Sequence, residues 1–163
     1  MQNAKDTFYK TLRARLATLK PERTTIVRGV VRPAVMVAEN ELEVEGDVPL
    51  DTFVLRWSGA TFDATEPQGL RSAVCAITFT TRGTPELNGM DRGRVLETLG
   101  QELRSILQPA MAAKQNYKGA EVVTEETNVF WSEPAFSDVV ASDSELKRTA
   151  TVHVFALGEA GAA

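Results

Sequence analysis

The order of the periodic segments constrains the fold of this chain more than any other feature of its sequence. An amphipathic helix comes first, followed by several strand-like runs, a long amphipathic helix over residues 92–108 and two closing strand-like runs. A chain of 163 residues buries roughly 70% of its unfolded surface in one core. We therefore predict a single α+β domain over residues 1–157, with residues 158–163 as a flexible tail.

Composition and charge argue against several classes of protein. Apolar residues make up 43% and charged residues 25% of the chain, as in ordinary globular domains. The formal net charge of −4 argues against a nucleic-acid-binding surface, which is normally basic. Cys75 is the only cysteine, so an intrachain disulfide is impossible. The sequence starts without an apolar segment and contains no run of about 18 apolar residues, so we expect neither a standard secretion signal nor a membrane span.

Two helices are predicted from apolar residues that recur at helical spacing. The first spans about residues 3–19 and ends before Pro21, which cannot continue a helix. The second spans residues 92–108, with Asp91 as its N-cap and Pro109 after its end. The apolar stripes are Phe8, Leu12, Leu16 and Leu19 in the first helix and Val95, Leu96, Leu99, Leu103, Ile106 and Leu107 in the second.

The predicted strands are rich in β-branched and aromatic residues. They cover residues 24–31, 33–38, 52–57, 71–81, 128–136 and 145–157. The run over residues 71–81 carries apolar residues on both faces, so it is predicted to be the central strand. Residues 58–70 form a polar connection that is long for a compact domain. We predict a mixed, mostly antiparallel sheet with the two main helices packed on one face.

The single histidine and the single cysteine are the first candidates for catalysis. His153 alternates with Val152 and Val154, so it should point away from the apolar face and be exposed or hydrogen-bonded. Cys75 shares a strand face with apolar residues, so packing is favoured over a reactive thiol. No nucleophile, phosphate-loop or metal motif accompanies them. We predict no catalytic residues, no cofactor and no metal site, and hence a protein that is not an enzyme.

The acidic stretch is the most regular charge pattern in the chain. Carboxylates occur at every second residue, at Glu39, Glu41, Glu43, Glu45 and Asp47. On a strand this spacing places them on one face, which is typical of a solvated edge strand. Glu41, Glu43 and Glu45 are also candidates for a surface that faces a partner or a ring lumen and repels nucleic acid. A calcium site is disfavoured because the spacing lacks the glycine turn and distal glutamate of a calcium loop.

Two tryptophans are candidates for a protein interface. Trp57 and Trp131 lie at or near the ends of predicted strands. Aromatic residues at such positions belong either to the core or its rim, or to an interface. The sequence leaves both alternatives open.

Five segments follow one another in a characteristic order. They are FYKTLRARLATL, RPAVMV, RSAVCAITFTTRG, DRGRVLETLGQELRSIL and RTATVHVFAL. In order and spacing they resemble the tail terminator (tail completion) proteins of long-tailed bacteriophages and prophages, and the match runs from Phe8 to Leu157, over most of the length of the chain. The chain departs from shorter members of that family in its extended 58–70 and 83–90 connections.

This resemblance implies a small α/β sandwich, in which a mixed sheet carries helices on one side. Six protomers would form a ring that caps the tail tube, ends its polymerisation and joins it to the head connector. The implied partners are copies of the chain itself, the tail tube protein and a head–tail connector or neck protein, without specific nucleic-acid binding or a membrane. The implied location is the virion tail, after synthesis in the host bacterial cytoplasm.

Two alternatives remain beside the tail terminator. The first is another tail or neck component, or a part of a contractile injection system. The second is a small-ligand-binding or enzymatic α+β domain, with the ligand held between the sheet and the 92–108 helix.

Overall fold

The computed structural model describes residues 1–42, 46–63 and 69–158. Within these ranges the helices are α1 (Gln2–Leu19), α2 (Ala38–Glu41) and α3 (Arg92–Ile106), with a short 3-10 turn at Pro85–Leu87. The strands are β1 (Thr24–Val27), β2 (Val30–Pro33), β3 (Val35–Val37), β4 (Phe53–Asp63), β5 (Leu70–Thr81), β6 (Met111–Asn116), β7 (Val123–Trp131), β8 (Ala135–Phe136), β9 (Val140–Ala141) and β10 (Leu146–Leu157). The α+β prediction is confirmed.

One large mixed sheet organises the fold. Its strand order is β3-β4-β5-β10-β7-β6, and β8 and β9 pair with β10 beside β7. The β3 to β4 pairing is parallel, whereas β5 runs antiparallel to both β4 and β10. Strands β1 and β2 form a separate two-stranded hairpin that leads directly into β3. The predicted central position of residues 71–81 is confirmed, because β5 lies between β4 and β10.

Helices α1 and α3 pack on one face of the sheet, as predicted. The helical contributions to the core include Phe8, Leu12, Leu16, Leu99, Leu103 and Ile106, and those of the sheet include Cys75, Ile77, Phe79, Val152 and Val154. Burying one such side chain contributes about 1.5–3 kcal/mol. The predicted place of Leu19 in the stripe is wrong, since it is 46% exposed at the last turn of α1.

The opposite face of the sheet is covered at β3 and β4, where Met36 and Val54 pack against α2 and the hairpin. Over β5 and β10 no described helix lies on this face. Val74, Ala76 and Thr78 of β5 are half-buried there. The hydroxyls of Thr78 and Thr149 lie 3.0 Å apart across the β5–β10 pair. This part of the face is therefore held by the backbone ladder and by neighbouring strands rather than by a second layer.

The predicted strand over residues 24–31 is wrong, because the chain turns back within it. Val27 pairs with Val30, so Arg28 and Gly29 form a two-residue turn. Both turn residues have positive φ, 50° and 79°, as the tightest hairpin turn requires. Glycine adopts this conformation freely, whereas Arg28 is strained in it.

The predicted 58–70 connection is also partly wrong. Strand β4 continues to Asp63 and pairs with β5 through a register shift between Ser58 and Ala60. Backbone pairing with a long neighbour extends a strand through residues that carry little apolar signal. For the same reason the sequence did not predict β6 (Met111–Asn116) or the start of β7.

Candidate assembly surfaces

The β1–β2 hairpin presents an exposed apolar face. Ile26 pairs with Val31 across the hairpin, and their exposed fractions are 67% and 63%. Val30, beside the turn, is 61% exposed. Neighbouring exposed aliphatic side chains, unlike single ones, mark an interaction site.

Polar contacts hold this hairpin in place from its inner side. A two-stranded hairpin is at best marginally stable alone. Arg32 of β2 forms an ion pair with Glu41 of α2, and the Tyr9 hydroxyl of α1 donates to the same carboxylate at 3.0 Å. The Val37 backbone N–H donates to Glu41 Oε2 at 2.8 Å. The hairpin is thus tied to α1, α2 and β3.

Glu41 is the centre of this network. Burial raises the pKa of its carboxyl, but hydrogen bonds from Arg32, the Val37 N–H and Tyr9 outweigh burial and leave the pKa below its ordinary value. Burial, followed by the neighbouring Glu41 charge, raises the pKa of Tyr9. The carboxylate is therefore held ionised by groups of its own protomer.

A second clamp holds the start of the hairpin to α3. The Arg23 guanidinium donates to Glu102 with Nε–Oε2 at 2.6 Å and Nη2–Oε1 at 2.9 Å. The Glu102 side chain is only 5% exposed, so the pair excludes most water. The Ala34 N–H donates to the Arg23 carbonyl at 3.0 Å and closes the base of the hairpin. A bidentate arginine–carboxylate pair fixes orientation as well as distance.

The second surface lies at the β8–β9 edge, over residues 133–145. Val139 and Val140 are 47% and 57% exposed there. The stretch contains Glu133, Asp138, Asp143 and Glu145 and no lysine or arginine. Glu145 is paired with Arg82, whereas Glu133, Asp138 and Asp143 are exposed. This edge is both apolar and acidic.

Phe136 fastens that edge to the body of the domain. Its ring lies between the guanidinium groups of Arg104 and Arg148, at 4.5 and 4.8 Å from the ring centre. It also meets the edge of the Phe79 ring at 6.4 Å. A Cβ added at Gly100 of α3 would stand 3.8 Å from it, at ordinary van der Waals distance, so the ring lies against this turn of the helix.

The predicted acidic strand does not form where the structure describes it. Residues 38–41 are the short helix α2, in which Glu39 and Glu41 both fold back on the chain. Glu39 Oε1 accepts a hydrogen bond from the backbone N–H of Trp57 at 2.8 Å. The strand prediction is wrong here because these carboxylates satisfy nearby backbone donors at the end of β3 and within β4. Glu43 and Glu45 lie outside the described residues, so a lumen-facing role for them stays a prediction.

The other residues singled out by the sequence lie as packing predicts. Cys75 is buried in the core, and burial raises the pKa of its thiol. His153 is exposed on the uncovered sheet face, as expected. Trp131 is 4% exposed, and its ring N–H donates to the Leu107 carbonyl at 2.8 Å. Trp57 is half-buried. Trp131 thus belongs to the core, while an interface role for Trp57 stays a prediction.

The space between the sheet and α3 is filled by side chains rather than open for a ligand. Leu96, Leu99 and Leu103 are each at most 4% exposed. No helix in the described ranges has the length and apolar character to span a membrane. Among the same residues, no three His, Cys, Asp or Glu side chains converge in a way that would hold a metal ion.

The exposed apolar residues of the two surfaces were missed by the sequence analysis. Ile26, Val31 and Val140 look like ordinary strand residues, because periodicity does not say which strand lacks a covering layer. The signal that would have found the hairpin is the Arg28–Gly29 pair between two valine-rich runs.

Comparisons of the chain with known proteins do not explain these two surfaces. No protein-family model matches the chain, and no curated protein does. Among solved structures, a chain of the "Virion of native gene transfer agent (GTA) particle" is similar over 94% of this chain and 94% of that chain, with 13% sequence identity and a TM-score of 0.35. A similarity at that level does not establish a common fold.

Proposed function

We propose that this protein is a structural, non-enzymatic virion component that assembles with copies of itself. One observation carries the proposal: two exposed apolar surfaces lie toward opposite sides of the main sheet. The hairpin adjoins edge strand β3, and the β8–β9 edge lies beyond β10 on the other side. A protomer with two different apolar interaction surfaces can join its neighbours head to tail. Such contacts close into rings or continue as filaments.

Within that class, we propose a tail terminator. The support is the order of the five segments in the sequence, which resembles that family over most of the chain. In this role about six protomers form a ring on the end of the tail tube, stop its growth and bind the head–tail connector. Another tail or neck component, or a part of a contractile injection system, would use the same kind of self-assembly.

A ligand-binding or enzymatic role has less support. The sequence-based alternative placed a ligand between the sheet and α3, where Leu99 and Leu103 fill the space. The 480 Å³ groove near Tyr9 and Trp57 is open to solvent. Its lining includes Lys5, Asp6 and Glu39, and Glu39 already accepts a hydrogen bond from the Trp57 backbone N–H.

The test combines mass in solution with imaging of tails. Light scattering should give a closed oligomer, or a monomer that closes into a ring only on isolated tail tubes. Electron micrographs of tails made without this protein should show tubes of irregular, excessive length, and adding the purified protein before assembly should restore uniform length. A protein that neither self-associates nor changes tube length would contradict the proposed role.

A further inference from the structure

We propose that the β1–β2 hairpin of one protomer docks on the β8–β9 edge of a second copy of this chain. The inference rests on the proposed self-assembly and names the contact that produces it. Neither surface has a covering partner within the described protomer, and each is fastened from behind by its own set of contacts.

The two surfaces match in apolar character. Ile26 and Val31 stand out from the hairpin, and Val139 and Val140 stand out from the opposite edge. All four are β-branched side chains, which pack well against each other across paired strands. Docking one pair on the other removes both from water at once.

The two surfaces also match in charge. Arg28 at the hairpin tip is exposed, and among the described residues its guanidinium makes one long contact, 3.4 Å to the Asn40 carbonyl. The other arginines of the hairpin region, Arg23 and Arg32, are neutralised by Glu102 and Glu41. Asp138 and Asp143 flank the two exposed valines on the opposite edge. This edge also carries Lys147, the exposed cross-strand partner of Val140. An arginine arriving there is therefore attracted where it approaches Asp138 and Asp143, which favours docking in one orientation.

Backbone geometry supports the same pairing. In the described chain, β1 and β2 pair only with each other, and β8 and β9 pair only with β10. Each surface therefore presents an outer strand edge with backbone groups free to add a strand, as in β-augmentation. The prolines at these edges lie at their margins, Pro33 as the last residue of β2 and Pro134 before β8. The strand residues beside them keep their N–H groups, and such an edge is a template for pairing.

The separation of the two surfaces favours a head-to-tail contact over a reciprocal two-fold dimer. Strands β4, β5 and β10 separate β3, next to the hairpin, from β8 and β9. When one protomer's hairpin is bound, its own β8–β9 edge is still open for the next copy. Repetition of the contact gives a ring, provided that the rotation closes.

Paired interface variants test the contact. The hairpin variant is Ile26→Glu/Val31→Glu, and the edge variant is Val139→Glu/Val140→Glu. Matched controls are Met90→Glu, at a residue 91% exposed in another turn, and Met111→Glu, at a residue 47% exposed on the open strand β6. At concentrations too low for self-association, circular dichroism should give all four the melting profile of the wild type, since none of these residues is in the core.

Each interface variant alone should self-associate at least tenfold more weakly than the wild type, while the controls should assemble normally. Mixed together, the two variants should form one-to-one pairs and nothing larger, since the mixture retains one intact hairpin and one intact edge. The proposed hairpin–edge contact would be overturned if either interface variant assembled normally. It would also be overturned if Met111→Glu were the one variant that lost assembly. A mixture that stays monomeric would overturn it as well.

Cross-linking gives a second, independent result. The native Cys75 is buried, so only introduced cysteines should react with a short bifunctional maleimide. Val31→Cys/Val140→Cys should give a ladder of oligomers, and each single variant should stay monomeric on denaturing gels. Dimers from Val31→Cys alone would show a symmetric hairpin contact and overturn the proposal. A wild type that assembles while the ladder is absent would refute this contact and leave the proposed function standing; a wild type that never associates would refute both.

Discussion

The hairpin and the central strand pair β5–β10 are built from similar residues but differ in their exposure to solvent. Both are rich in valine, isoleucine and threonine and both consist of antiparallel strands. In β5, Ile77 is fully buried under the helices, whereas in the hairpin Ile26 is 67% exposed. The difference lies in what covers the strand, since β-propensity says only that a residue fits a pleated, half-buried surface.

The contrast extends to what holds each region in place. The central strands are held by apolar burial, while the hairpin is held by charged anchors at Arg23 and Arg32. Two ion pairs thus hold an apolar hairpin in place in solvent and make it a preformed contact surface. Because the hairpin is already ordered, binding a partner costs less conformational entropy. The predictions that follow separate residues that stabilise the fold from those that serve contact.

The largest effect on stability is expected in the helix-covered core. Leu103→Ala should lower the free energy of unfolding by about 2–5 kcal/mol, because it leaves a cavity between α3 and the sheet. Ile26→Ala should change it by less than about 0.5 kcal/mol, as surface substitutions do. Urea denaturation followed by circular dichroism measures both. Equal costs would mean that the hairpin belongs to the core.

The next effect is expected at the Arg23 clamp. Arg23→Met should destabilise the protein by about 3 kcal/mol, because it leaves the buried Glu102 carboxylate without its partner. The double variant Arg23→Met/Glu102→Met should recover a large part of that loss, since no buried charge remains. Thermal unfolding is the measurement. A single variant that is as stable as the wild type would show that the clamp does not hold the hairpin.

A smaller, pH-dependent effect is expected at Glu41. Glu41→Gln should cost about 1 kcal/mol near pH 7, because an amide cannot replace a charged acceptor for Arg32 and the Val37 N–H. The folded pKa of Glu41 is lowered, so this stability is present above the ordinary value of about 4.3. It is lost as pH falls through the folded pKa. The difference between variant and wild type should therefore shrink in acid.

The exposed Glu133→Gln is the matched control for this change and should alter stability little at any pH. A difference between Glu41→Gln and the wild type that persists unchanged at pH 2 would contradict the ionised network. Glu41 therefore differs from an exposed carboxylate that can be exchanged without cost to folding, because Arg32, Tyr9 and the Val37 N–H bind to it.

The smallest effect on stability is expected at the hairpin tip. Arg28→Glu should leave unfolding within about 0.5 kcal/mol of the wild type and still weaken self-association, because it places a negative charge against Asp138 and Asp143. Added salt should narrow the gap between variant and wild type, since screening reduces the repulsion. Lys20→Glu, outside the hairpin strands, is the control. If the Arg28 variant assembled normally at low salt, attraction between Arg28 and the carboxylates of Asp138 and Asp143 would not contribute to docking.

The sequence predicted the elements that carry strong periodicity and long runs. Helix α3 and strands β5 and β10 lie within a few residues of their predicted bounds, because a stripe or alternation over 12 or more residues leaves little choice. Strand β6, MAAKQN, carries no such signal and forms because β7 pairs with it. The Arg28–Gly29 turn was missed because valines on both sides read as one strand.

The candidate surfaces were the least predictable part. Regular spacing drew attention to the carboxylates of 39–47, yet Glu39 and Glu41 satisfy backbone N–H groups of their own chain. The exposure of Ile26 and Val140 depends on where the sheet ends and which faces the helices cover. That information resides in the tertiary arrangement rather than in any local pattern.

Sedimentation of the wild type beside the hairpin variant Ile26→Glu/Val31→Glu shows whether the hairpin makes the contact between protomers. We expect the wild type to form one closed species of about six protomers, alone or on isolated tail tubes. The variant should stay monomeric at the same concentrations, with the melting temperature of the dissociated wild-type protomer. A wild type and a variant with the same mass under both conditions would contradict a contact made by the hairpin.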